Sequence, residues 1–131
     1  MRALTFTAFL LLAVVFVASA QEGHPLVGSW HGTWGPTPTH RNDVTVVMDW
    51  DGKSITGLIN PGPDSVKFSK ATLDAGNWGV HIEADAKDQS GNPVHFVIDG
   101  KIEDVTSTRR SIVGTWSHGA QKGDFKIVRD N

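Results

Sequence analysis

Beyond residue 20, apolar and polar residues alternate with a period of two, in runs broken by turn-forming clusters roughly every ten residues, and no window carries apolar positions at helical spacing. That rhythm predicts short antiparallel strands. In the clearest unit, residues 43–50 place Val44, Val46, Met48 and Trp50 on one side, Asp51-Gly52 follows, and a second run occupies residues 53–60. Asp-Gly between two alternating runs predicts a two-residue type I′ turn, because both central positions need positive φ. The implied register sets Trp50 opposite Lys53, Met48 opposite Ile55, Val46 opposite Gly57 and Val44 opposite Ile59, so the large apolar side chains share a face.

The other runs read the same way. Residues 26–34 put Gly28, Trp30, Gly32 and Trp34 on one face, and the rigid Asn60-Pro61-Gly62-Pro63-Asp64 connection leads into residues 65–73. In residues 78–86, Trp78, Val80, Ile82 and Ala84 alternate with Gly79, His81, Glu83 and Asp85. A run from Val94 carries Phe96, Ile98 and Ile102, and a charged loop, 103–110, precedes a last hairpin of residues 111–118 and 124–129 joined by 119–123. Eight strands with short connections leave two open edges if flat, and closing the sheet removes them. The expected fold is all-β, an eight-stranded antiparallel up-and-down barrel, with a two-sheet β-sandwich as the alternative.

The N-terminus reads as a processing segment. Met1-Arg2 is a short positive start, residues 4–17 are almost wholly apolar, and Ala18-Ser19-Ala20 has the small-x-small form of a signal-peptidase site. The stretch is shorter than the ~20 residues of a membrane span. The expectation is a signal peptide over residues 1–20, cleavage near Ala20, a single domain over residues 21–131, and a secreted or periplasmic product with no membrane span.

Composition narrows the classes of function. The 131 residues carry 12 Lys+Arg against 14 Asp+Glu, a formal charge of −2, and no Cys or Tyr. No basic footprint for nucleic acid is present, and disulfides are excluded. The six histidines form no His-x-His or His-x-x-x-His pair, so no metal is expected. Asp49-x-Asp51-Gly52 lacks the later ligands of a calcium loop, there is no Gly-x-Ser-x-Gly elbow, and no phosphate loop is found, so no cofactor is expected either.

Gly28-x-Trp30 near the start of the domain, taken with Arg129 at its end, resembles the structural signature of the calycin superfamily of lipocalins, fatty-acid-binding proteins and avidins. The resemblance implies a barrel whose narrow end is plugged by Trp30, with Gly28 permitting close approach and the Arg129 guanidinium lying over the indole. It implies no ligand. The tyrosine of the avidin biotin site has no counterpart here, and lipocalin disulfides are absent.

Two constellations can carry chemistry. If Ala86 pairs with Val94, then Asp85 faces His95, Glu83 faces Val97 and His81 faces Asp99, all opposite to the Trp78–Ile82 face. A histidine held by a carboxylate suits general acid–base work, and the two pairs would lie roughly 13 Å apart on one strand face. The same pattern also describes a solvent face stabilised by cross-strand charge pairs. The second constellation is the five tryptophans. Trp30 and Trp116 are assigned to the packed structure, whereas Trp34, Trp50 and Trp78, each beside turn residues, are the candidates for the border of a ligand pocket. Three readings follow: an exported barrel enclosing a small apolar or aromatic ligand, a lyase-, isomerase- or hydrolase-type barrel enzyme using His81 with Asp99 or His95 with Asp85, and a packed barrel with no ligand. The enzyme reading requires both histidines to point into the lumen.

Overall fold

The computed structural model describes residues 24–130, so the expected signal peptide, 1–20, lies outside the described residues. Eight strands follow one another: β1 (Gly28–Thr37), β2 (His40–Trp50), β3 (Ile55–Ile59), β4 (Val66–Asp74), β5 (Gly79–Lys87), β6 (Pro93–Glu103), β7 (Ser111–His118) and β8 (Gln121–Arg129). Each pairs antiparallel with the next, and β8 returns to β1 in a closed barrel. The up-and-down barrel is therefore the architecture, and the two-sheet sandwich is not. Closure satisfies the outer backbone groups of β1 and β8, which any open arrangement would leave unpaired.

The alternating sequence becomes an inside and an outside. Val80, Ile82 and Ala84 of β5 are buried, while His81, Glu83 and Asp85 between them face outward. Charge lies outside and apolar bulk inside, the reverse of what a lipid-spanning barrel requires. Where neighbouring strand backbones approach closely, glycine is needed. A Cβ on Gly114 would collide with the Asp99 carbonyl on β6, which explains why glycine precedes Trp116 by two positions there.

Two connections differ from expectation. Trp50 pairs with Ile55, Met48 with Gly57 and Val46 with Ile59, a shift of two residues, and the β2–β3 connection is a four-residue loop. The cause is Asp51, whose Oδ1 accepts hydrogen bonds from the Lys53 and Ser54 amides at 2.8 and 2.7 Å. This local bonding competes with the tight turn, and only Gly52 takes positive φ. Because the shift is even, every side chain keeps its face. The last connection is shorter than expected: His118 pairs with Gln121, leaving Gly119-Ala120 as a two-residue turn.

Up-and-down topology sends alternate connections to opposite ends. The N-terminal segment, loops 51–54, 75–78 and 104–110, and the end of β8 gather at one end, and connections 38–39, 60–65, 88–92 and 119–120 at the other. The first end is solid. Leu26, Trp30 and Met48 are fully buried there, and the Trp30 indole N–H donates to the Leu26 carbonyl at 3.0 Å.

Candidate functional site

The opposite end is hollow. A cavity of about 180 Å³ occupies the half of the barrel away from Trp30. Its aromatic wall is Trp34, Phe68, Phe96, Trp116 and Phe125, and aliphatic residues such as Val44, Ile98 and Ile127 complete it. Asn60 is its one polar residue, and it is held in place: its amide donates to the Thr45 carbonyl at 2.7 Å and its Oδ1 accepts from the Thr45 amide at 3.0 Å. Trp34 meets Trp116 edge to face, with centroids 4.9 Å apart and planes at 82°. The Trp116 indole N–H donates to the Asp124 carbonyl at 3.2 Å, which fixes the ring against the wall. Such a surface offers dispersion and edge-to-face contacts and almost no hydrogen bonds.

Of the three tryptophans expected at a pocket, the structure places Trp34 on this wall. Trp50 is 40% exposed and stacks on His24 at 4.6 Å, and Trp78 sits in the β4–β5 connection with φ +59°, partly buried against the core. Both belong to the other end. Trp116, assigned to the structure alone, lines the cavity instead. The signal that finds it is the parity of the turns: Trp34 and Trp116 precede the first and seventh connections, whereas Trp50 and Trp78 flank the second and fourth.

At the plugged end, Gly28, Trp30 and Arg129 come together, with Trp30 opposite Arg129 in the β1–β8 ladder. The guanidinium is used differently from the expectation. Arg129 Nε donates to the Val27 carbonyl at 2.8 Å and Nη1 to the Thr108 carbonyl at 3.3 Å, tying the N-terminal segment and the β6–β7 loop to β8. It lies against the Cα of Gly28, where an added Cβ would stand 2.7 Å from Nε, and Gly28 has φ +138°. Among the described residues no cation–π contact joins it to Trp30.

The histidine–carboxylate constellation forms in the expected register, His81 with Asp99 and Asp85 with His95. It is on the outer face, so the lumen orientation that the enzyme reading needs is not found; pleating puts residues two apart on one face, and Val80 and Ile82 take the inside. The sequence reading put Glu83 on this face opposite Val97, as found, but gave it no role. Its two oxygens lie 2.9 Å from His81 Nε2 and 2.9 Å from His95 Nε2, joining the pairs into the chain Asp99, His81, Glu83, His95, Asp85. The outer contacts are 2.6 Å from His81 Nδ1 to Asp99 and 2.7 Å from His95 Nδ1 to Asp85. The signal was present, since Glu83 lies two residues from His81 and diagonally across from His95.

With a carboxylate at each ring nitrogen, both imidazoles favour the doubly protonated form. The hydrogen bonds to Asp99 and then Glu83 raise the His81 pKa, and those to Asp85 and then Glu83 raise that of His95. The bonds from His81 and His95 hold Glu83 below its ordinary value. Neither of these two imidazoles has a ring nitrogen left free to take a proton from a substrate. No protein-family model, curated protein or solved structure matches the chain.

Proposed function

We propose that the protein is an exported binding barrel of the calycin kind, secreted or periplasmic after cleavage near Ala20, that encloses one compact apolar or aromatic ligand in its open half. The observation that supports this reading is the apolar cavity of about 180 Å³ walled by Trp34, Phe96, Trp116 and Phe125. Its size selects the ligand. An engineered apolar cavity of about 150 Å³ holds benzene, whereas drug-sized ligands occupy about 300–1,000 Å³. A single ring with a short substituent fits, and a long acyl chain does not, because Trp30, Leu26 and Met48 block the barrel below.

Fluorobenzene is a suitable probe, followed by fluorine NMR and by the emission of Trp34 and Trp116. A ligand of this size gives on the order of −5 kcal/mol, a Kd of roughly 0.2 mM. Saturable binding in that range, with a change in tryptophan emission and no binding of palmitate, is the expected result. Absence of saturable fluorobenzene binding overturns the reading.

A further inference from the structure

We propose that the ligand enters and leaves the cavity sideways, through a notch in the wall between β4 and β5, and not along the barrel axis. This rests on the binding reading above and adds the route.

The notch follows from how β4 changes partner. β4 pairs with β3 only through Val66 and Lys67, and with β5 only from Phe68 onward, where Phe68 meets Ala84 and the register then slips before Lys70. Near the open end, Val66 and Lys67 therefore have no ladder partner on β5, and Asp85, Ala86 and Lys87 have none on β4. A depression lies there, bordered by Asp64, Ser65, Val66, Asp85, Ala86, Lys87 and Pro93. Val66 lines both this depression and the cavity, so the two spaces meet at this side chain. The inward residues of β5 beside it are Ala84 and Ala86, the smallest on that strand's inner face.

The axial end carries a packed ring cluster on the far side. The rings of Trp34, Phe96, Trp116 and His118, from β1, β6 and β7, form one cluster, with Phe96 4.8 Å from His118 and Trp116 stacked on His118 at 5.9 Å. Moving these rings breaks several aromatic contacts together, whereas the wall at Val66 has no β4–β5 ladder to break. Both borders of the notch are braced: Pro61 and Pro63 stiffen one, and Asp88, accepting from the Ser90 and Asn92 amides at 2.9 Å each, holds the other. The opening is part of the wall.

A route is tested by kinetics. An obstacle in the path raises the barrier from both sides equally, so on- and off-rates fall together while Kd stays fixed. The chain has no cysteine, so Lys87→Cys at the notch and Ala120→Cys on the axial rim, both at exposed positions, each give one labelling site for a bulky charged thiosulfonate that reductant removes. Exchange of fluorobenzene is measured by fluorine NMR before labelling, after it, and after reduction. The expected result is that the label at position 87 slows exchange about tenfold with Kd changed less than about twofold, that reduction restores it, and that the label at 120 leaves it unchanged. Ala86→Trp, which narrows the notch from within, is expected to slow exchange in the same sense. Slowing by the label at 120 alone, or by neither label, overturns the side route and leaves the binding reading intact. No binding by the unlabelled protein overturns both.

Discussion

The two ends of the barrel use the same device and reach opposite outcomes. Gly28-x-Trp30 and Gly114-x-Trp116 each place an indole two residues after a glycine whose Cβ would collide with a neighbouring strand, yet the first end is solid and the second hollow. The difference is the chain that crosses each end. Below Trp30 the segment before β1 folds inward, buries Leu26, accepts the indole N–H on its carbonyl and is tied down by Arg129. At the other end β1–β2 and β7–β8 close through two-residue turns, at 38–39 and 119–120, which have no side chain to spare for the interior. Trp116 instead bonds to its own wall. An indole alone does not plug a barrel; a segment passing beneath it does.

The sharpest way to break this comparison is to truncate both indoles. Trp30→Ala removes a fully buried ring among packed neighbours and is expected to cost about 3–5 kcal/mol. Trp116 already faces empty space on one side and has fewer contacts to lose, so Trp116→Ala is expected to cost roughly 2 kcal/mol. Urea denaturation of the two variants decides it. Equal costs would mean that the open end is as tightly packed as the closed one.

Filling sharpens the contrast from the other direction. Val44 lines the cavity opposite Gly32, so Val44→Phe has room, and it should lower fluorobenzene affinity more than about tenfold while stability changes by less than about 1 kcal/mol. Met48→Phe at the solid end has no such room and is expected to cost about 1–3 kcal/mol through overpacking. The paired measurements are a denaturation midpoint and a fluorine NMR titration.

The barrel was legible because closure and facing depend on period-two patterning, which every strand from β1 to β8 carries. The β5–β6 register was legible for the same reason: both faces are patterned, so only one alignment puts Val80 and Ile82 inside and gives His81 and His95 their carboxylates. The β2–β3 turn was misread because Asp51 bonds forward to Lys53 and Ser54, a local choice that Asp-Gly does not announce. The tryptophans were misplaced for a geometric reason. Nearness to a turn says that a residue is at an end, and only the order of the turns says which end. The cavity has no pattern at all, being the shortfall between the volume enclosed by the wall and the side chains that fill it.

The smallest expected effect concerns the wall around the hollow half. Inside, Val80, Ile82 and Ile98 border empty space; outside, the same two strands are linked by the five-membered chain from Asp99 to Asp85, with Lys70 of β4 beside Glu83. The linkage works in two directions. The raised pKa values of His81 and His95 give stability that is complete below their ordinary value of 6.5 and is lost as pH rises through the folded value. The lowered pKa of Glu83 gives stability that is present above its ordinary 4.5 and is lost as pH falls through the folded value. The β5–β6 hairpin should thus be best held between those two pH values. In hydrogen exchange, corrected for intrinsic rates, its amides should lose protection as pH rises above 6.5 through the raised imidazole values, while those around Trp30 keep theirs. The double variant His81→Gln, His95→Gln should flatten that slope, and imidazole titrations by NMR should have midpoints above 6.5. An unchanged slope in the double variant would mean that the exposed chain does not hold the hairpin, as is usual for screened surface pairs, and that the hollow half is kept in shape by its backbone ladder alone.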